Sequence, residues 1–222
     1  MESIPEDARC TVCDIKPAVY RCSDCHGRPT TCLECCRESH WRHPFHRIKE
    51  WTGKYFSSAW LWKVGLWLNL GHGGQPCPCY GDQQNFPPEF FNWPDDEDDI
   101  QDHNWVNHDK PKETSIPGAR LMVIVHTNGV HYLPVRICRC HDAPPEDTQM
   151  IRMGYYPSTY KCIRTMFTFQ VLDDYLLANL ECQTSAHHYY QKLRRMTNKA
   201  APHLVPVDTF YSAERLVHTN DY

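Results

Sequence analysis

Between residues 10 and 35 the chain carries three pairs of cysteines, each separated by two residues: Cys10 and Cys13, Cys22 and Cys25, Cys32 and Cys35. His40, His43 and His46 follow. Two thiolates on one tight knuckle turn reach a single tetrahedral ion at about 2.3 Å, so each pair is half a metal site. Three halves, completed by His40 and His46, make two four-donor sites. Seven of the chain's 13 cysteines fall between residues 10 and 46, where few apolar residues are available for a core. The ions stand in for that core, and about 10 to 16 kcal/mol per structural zinc matches the stability of a small domain. A closed four-donor shell leaves no position for an activated water, so such zinc is structural. Cys36 reads as a spare thiol and His43 as a solvated residue able to replace either neighbouring histidine.

The competing uses of paired cysteines are disulfides and redox chemistry. The opening MESIPEDARC has no basic residue ahead of an apolar run, which is unlike a secretory signal, and Glu2, Glu6 and Asp7 are unlike a transit peptide. A reducing compartment is therefore expected, where clustered cysteines bind metal more often than each other. A redox Cys-x-x-Cys needs a strand-to-helix setting that this run lacks. The most apolar window, AWLWKVGLWLNLG at 59–71, is interrupted by Lys63 and falls short of the roughly 20 residues that span a bilayer. No membrane partner and no small-molecule substrate are expected.

Charge divides the chain. Residues 80–118 hold ten acidic residues against Lys110 and Lys112, although the net charge of the whole is only −4. Much of that excess is PDDEDDIQD at 94–102, set among prolines and without a periodic apolar face, so 82–118 reads as an acidic, disordered linker. The divisions that follow are a double zinc finger at 8–50, a Trp-rich connecting segment at 51–81, the linker, a second domain at 119–200 and a tail at 201–222. In the connecting segment, Leu66, Leu68 and Leu70 alternate with Trp67 and Asn69 as in a strand before the Gly71-His72-Gly73-Gly74 turn. Trp60, Val64 and Trp67 suit a helical face equally well.

In the second domain, RLMVIVHTNGVHYLPVRICRC (120–140) predicts a β-hairpin, with Asn128-Gly129 suited to a type I′ turn. It runs into Cys138 and Cys140, which supply half a metal shell. Completion falls to His72 and Cys77 or to His126, His131 and His141; idle thiols are the alternative. The set Cys138, Cys140, His72 and Cys77 is the third site carried forward. TFQVLDDYLLANLECQ (168–183) and SAHHYYQKLRRMTN (185–198) predict a helical hairpin packed on the strands. Phe169, Leu172, Leu176 and Leu180 share one face of the first helix, and Tyr189, Leu193 and Met196 one face of the second. Ser185 suits an N-cap, Asn198 a stop, and His187 and His188 the surface. The fold class is α+β, a small zinc finger followed by a hairpin-and-helices domain, stabilised by two zinc ions and, at Cys138, a third.

The ligand order in the first segment resembles cross-braced B-box and ZZ zinc fingers, and AVYRCSDC (18–25) looks like the ZZ strand that bears the second pair. That resemblance implies interleaved pairing, with Cys10, Cys13, Cys32 and Cys35 on one ion and Cys22, Cys25, His40 and His46 on the other. Sequential pairing would instead leave only eight residues between the first two pairs. The full succession of PFHRIKEW, LGHGGQPC, HTNGVHYLPVRICRC, GYYPSTY, RTMFTFQVLDDYLLANLE and YYQKLRRMTN after the three pairs resembles the N-terminal region of fungal KDZ (Kyakuja, Dileera and Zisupton) transposases, including their CxC-type cysteine cluster domain. The resemblance spans roughly residues 8–200. Cys79, Cys162 and Cys182 match none of its motifs.

The resemblance implies a nuclear protein of a transposable element, and an accessory zinc-binding region rather than the RNase H-like catalytic domain with its Asp/Asp/Glu carboxylates. Asp173 and Asp174 are adjacent on a helix and point to different faces, so they do not make a two-metal site. No enzyme activity is expected, and no catalytic residue is assigned. DNA or chromatin is one partner class, supported by Arg21, Arg28, Arg37, Arg42 and Arg47 on the finger, though the weak net charge argues against strong phosphate binding. A protein partner or self-association, as B-box and ZZ fingers use, is the alternative.

Overall fold

The computed structural model describes residues 7–81, 116, 118–159, 163–199 and 202–205. The acidic linker, apart from residues 116 and 118, Cys162 and almost all of the tail lie outside the described residues. Two compact units emerge, the first ending at Leu68 and the second starting at Asn69. Helices and sheets are mixed, as α+β requires.

In the first unit, short strands form an antiparallel sheet of order β2-β1-β3-β4, with β1 at Tyr20–Cys22, β2 at Thr30–Thr31, β3 at Ile48–Trp51 and β4 at Phe56–Ala59. Cys22 faces Ile48, and Ile48 faces Ala59 across the next pair. The sheet therefore continues past residue 50, the end the sequence suggests for the finger, because Gly53, at φ +88°, lets the chain reverse between β3 and β4. Helix α1, Leu33–His40, starts directly after Cys32. Buried apolar residues other than cysteine are few: Ala18, Tyr20, Ile48, Ala59, Leu61, Trp62, Val64 and Leu66. The Trp-rich segment is part strand, part 3-10 turn at Leu61–Val64; Trp62 is buried, while Trp60 and Trp67 are half-buried.

The second unit is built on a five-stranded sheet of order β5-β7-β6-β9-β8. These strands are β5 at Leu68–Leu70, β6 at Ala119–His126, β7 at Gly129–Ile137, β8 at Tyr155–Pro157 and β9 at Thr165–Thr168. The hairpin β6–β7 is antiparallel, whereas β9 joins β6 in parallel. Register places Val125, Val130 and Phe167 on one face and Met122, Ile124, Leu133 and Met166 on the other, all within 1% of full burial. Burial on both faces explains why these strands read as nearly continuous apolar runs.

Helices α2 (Glu146–Arg152), α3 (Phe169–Cys182) and α4 (Ala186–Thr197) complete the unit. Val171 and Tyr175 of α3, with Tyr189, Tyr190 and Leu193 of α4, join Val125, Val130 and Phe167 in one core cluster. Ser185 caps α4 by accepting from the His188 amide, and Asn198 ends it. Two sequence expectations change. The tight turn centres on Thr127 and Asn128, since His126 pairs with Gly129, and the positive φ of +142° belongs to Gly129 alone. A type I′ turn at Asn128-Gly129 is thus replaced by one in which glycine opens β7. A Cβ there would lie 2.7 Å from Thr197 Oγ1, the atom that receives the Val130 amide.

The second change concerns α3. Phe169, Leu176 and Leu180 are 39%, 41% and 66% exposed, and Leu172 is only partly buried, so the leucine face points outward. Val171, Tyr175 and Ala178 also repeat at helical spacing, and they are the ones packed on the core. Phase is fixed because β9 runs straight into α3 through Thr168, the last strand residue, whose hydroxyl caps the helix by accepting from Val171 N.

Candidate metal centres

In the first unit, knuckle turns present the thiols. Val12 N lies 3.5 Å from Cys10 Sγ and Cys25 N 3.3 Å from Cys22 Sγ, while Asp14 and Arg28 adopt positive φ as each loop turns back. Strand β1 delivers Cys22, and α1 carries Cys35 in its first turn and His40 in its last. Cys10, Cys13, Cys32 and Cys35 gather so that all their sulfurs lie within 4.8 Å of one another, and Cys22, Cys25, His40 and His46 form a second such group. The gathering alternates along the chain. Sequential pairing is not what the structure brings together.

Separations within the groups suit an ion. Tetrahedral bonds of about 2.3 Å put neighbouring sulfurs about 3.7 Å apart; Cys13 and Cys32 sulfurs are 4.0 Å apart, and His40 Nε2 lies 3.6 Å from Cys25 Sγ. His46 Nδ1 lies 3.6 Å and 3.3 Å from the sulfurs of Cys22 and Cys25. These lengths far exceed an S–S bond of about 2.05 Å, and the described cysteines are free thiols. On His40, Nδ1 is 2.7 Å from the Cys36 carbonyl, which makes Nδ1 the protonated nitrogen and leaves Nε2 as the donor facing Cys25. Asp24 and Arg47 clip the second group from outside, through Nη2 to Oδ1 at 2.6 Å, Nε to Oδ2 at 3.1 Å and the Arg47 amide to Oδ2 at 2.6 Å.

A third group lies wholly in the second unit: His72, Cys77, Cys138 and Cys140. His72 Nε2 is 3.1 Å from Cys138 Sγ and 3.5 Å from Cys140 Sγ; Cys77 Sγ is 3.7 Å and 3.6 Å from the same two sulfurs. Strand β5 brings His72 here, because it lies beside β7, ends at Leu70 and is followed at once by the turn at Gly71. That glycine has φ +88°, and a Cβ on it would stand 2.8 Å from Cys138 Cβ. The other histidines offered by the sequence are engaged elsewhere. His126 Nδ1 bonds Thr168 Oγ1 at 3.0 Å, His131 bonds Asn128 Oδ1 at 2.8 Å, and His141 is fully exposed beside Asp142.

Electrostatics alone leave these groups incomplete. Burial raises the Cys10 thiol, but the amides of Cys13, Cys32 and Val12 outweigh it and bring it down to about 6. Cys77 likewise falls to about 6, burial being overcome first by the amides of Arg139 and Cys79. Burial pushes Cys138 up to about 11 and raises Cys35 further, with neighbouring thiols adding to it. In the first group the Lys16 and Ile15 amides lower Cys13 as well, while Cys32 and Cys35 are raised; a divalent cation favours the deprotonated form of every donor it touches.

Other residues with a part in these sites carry weaker sequence signals. Gln149, buried on α2, accepts from Cys138 N at 2.9 Å and donates to Cys138 O at 3.0 Å and Pro144 O at 2.8 Å, so it clamps the backbone that carries a donor. No local motif announces it; a polar residue at a buried helix position is the only hint. Cys79 lies outside the four-donor group yet 3.4 Å from Cys140 Sγ. Cys36 is buried with its sulfur 3.8 Å from His40 Nδ1, and His43 is exposed and stacked on His46. Asp173 is exposed, while Asp174 accepts from Tyr189 Oη and Lys192, so the two do not converge.

Residues 103–201 match the family model described as a CxC2 like cysteine cluster associated with KDZ transposases. This part of the chain is KDZ-related, and Cys138 and Cys140 lie within it. No curated protein and no solved structure matches the chain. Among the described residues no helix is long and apolar enough to cross a membrane.

Proposed function

We propose that this chain is the zinc-binding accessory region of a KDZ-type transposase, holding three structural Zn2+ ions and serving to target DNA or chromatin in the nucleus. The observation that carries this reading is the match of residues 103–201 to a transposase-associated cysteine cluster, combined with a four-donor group built around the two cysteines of that segment's Cys-x-Cys. Zinc is favoured by the donor chemistry: thiolate-rich, tetrahedral sets with one or no imidazole suit it better than a hard cation, and two thiolates with two imidazoles do so as well. Each ion is enclosed by four protein donors and is architectural rather than catalytic in this reading. Support for nucleic-acid contact comes from exposed cations on the outer side of α4, Lys192 and Arg195, and from Arg42 on the finger.

A second reading, that of a protein-interaction module resembling B-box and ZZ fingers, is favoured by the outward leucines of α3. Elemental analysis and DNA titration separate the two. Three zinc ions per chain, with duplex affinity that falls linearly in log[salt], are expected from the first reading. Zinc without any DNA affinity at low salt would leave the interaction module, and absence of zinc would overturn both.

A further inference from the structure

The third donor group, three sulfurs and an imidazole, has a fourth sulfur beside it. Cys77-Pro78-Cys79 faces Cys138-Arg139-Cys140, and of these four cysteines Cys79 alone is outside the group whose donor atoms all lie within 4.8 Å of one another. Its Sγ is 3.4 Å from Cys140 Sγ, closer than the 3.6 Å that separates Cys140 from its fellow donor Cys77. Cys79 is exposed, on the turn Pro78–Tyr80, and Cys140 is partly exposed at a cleft of about 480 Å³ also lined by His72, Cys138 and His141. The corresponding spare thiol of the first unit, Cys36, is 1% exposed. Cys182 is exposed, and no thiol lies beside it among the described residues. Among the described residues, only at the third group does an accessible sulfur outside the shell touch a sulfur within it.

We infer that Cys79 is a peroxide-reactive thiol that forms a disulfide with Cys140 and thereby opens the third metal site. The proposal rests on the zinc reading above for the ion that is released, though not for the cross-link. The Cys79 sulfur attacks one oxygen of hydrogen peroxide; the O–O bond breaks, and the departing hydroxide takes the thiol proton to become water. Cys79 is then a sulfenic acid. The Cys140 thiolate attacks the sulfenic sulfur, the S–S bond forms and the S–O bond breaks, and the released hydroxide is protonated by solvent. Two electrons, one from each sulfur, have reduced one peroxide to two waters. His72, Cys77 and Cys138 remain, three donors in place of four, and the ion loses the thiolate that closed its shell. A thiol reductant reverses the change.

The test uses the full chain loaded with zinc, with Cys79→Ser and, as control, Cys182→Ser. Bound zinc is measured first, then its release into a chromophoric chelator after hydrogen peroxide, and disulfides are mapped by peptide mass spectrometry. The expected result is equal zinc content in all three proteins before oxidation. Wild type and Cys182→Ser should then lose one ion in a fast phase with a Cys79–Cys140 linked peptide, and Cys79→Ser should lose it at least ten-fold more slowly. Equal release rates, a linked peptide that excludes Cys79, or loss of an ion from Cys79→Ser before any oxidant would overturn the proposal, the last because it would make Cys79 a ligand. If the untreated wild type lacks the third ion, the zinc reading fails there, and the linked peptide, which needs no ion, decides the pairing by itself.

Discussion

Removing the metal should unfold the first unit and spare most of the second. Among the described residues the first unit buries eight apolar side chains other than cysteine, two of them alanines, so at about 1.5 to 3 kcal/mol for each of the six larger ones their hydrophobic contribution is about 9 to 18 kcal/mol. Two structural ions at about 10 to 16 kcal/mol apiece are therefore of the size that decides whether this unit folds. The second unit has ten residues in one core cluster and Met122, Ile124, Leu133 and Met166 on the opposite sheet face, and loses one ion at its edge. Hydrogen exchange with and without a strong chelator reads both units at once. Protection should vanish throughout the first unit, including β4 as far as Ala59, while amides of β6, β7 and β9 stay protected and those around Gly71–Cys77 and Cys138–Met153 loosen. Persisting protection at Tyr20–Cys22 and Ile48–Trp51 in metal-free protein would refute the claim that ions replace a core there.

Substitutions test the finer points. Leu180→Gln should change stability by less than about 0.5 kcal/mol in urea, and Val171→Ala should cost about 2 kcal/mol, because the packed face of α3 is the second one. Gly129→Ala should cost about 2 kcal/mol by the same assay, since the new Cβ meets Thr197 Oγ1 and strains a φ of +142°. Gln149→Leu removes three hydrogen bonds and strands buried backbone groups of Cys138, so a loss of about 3 kcal/mol and weaker third-site metal in a chelator competition are expected. Asp24→Ala should weaken the second site by about 1 to 2 kcal/mol, read as earlier zinc release. Burial pushes the Asp24 carboxyl up, but the Arg47 side chain and amide outweigh it and hold it below its ordinary range. Its contribution is accordingly full above about pH 4, and because the thiol and imidazole donors take up protons before this carboxyl does, the deficit of Asp24→Ala in metal affinity should be the same at pH 6 and pH 8.

How far the sequence could be read depended on the range of the interaction. A knuckle turn closes within four residues, so the spacing of Cys10 to Cys13 or Cys22 to Cys25 marked donors that the structure then gathers. Which pairs meet depends on β1 lying between β2 and β3, a matter of sheet register, and resemblance rather than spacing supplied that expectation. At Cys138 and Cys140 only half a shell was legible. The other half required β5 to lie beside β7, and the same kind of non-local pairing hid the parallel contact of β9 with β6. The existence of α3 and α4, the Ser185 cap and the α4 face were plain, because one amphipathic pattern competes with no other on α4, whereas the short helices α1 and α2 carried no such pattern and were not expected.

The face of α3 was not plain, and the reason bears on what the region does. A helix with two apolar stripes has more hydrophobic surface than one fold can cover, and Thr168 fixes which stripe the sheet receives. Phe169, Leu176, Leu177 and Leu180 are left outward with Asp173 and Glu181 beside them. The outer side of α4 instead presents His188, Lys192 and Arg195. One hairpin thus exposes an apolar, acidic-edged surface and a cationic one. If the DNA-targeting reading holds, Lys192→Ala with Arg195→Ala should flatten the salt dependence of binding by up to about two phosphate contacts, because each lost contact removes about 0.9 from the log–log slope. Leu177→Gln with Leu180→Gln should leave that slope untouched. A slope that responds to the leucines and ignores the cations would transfer the binding role to α3 and favour a protein partner over nucleic acid.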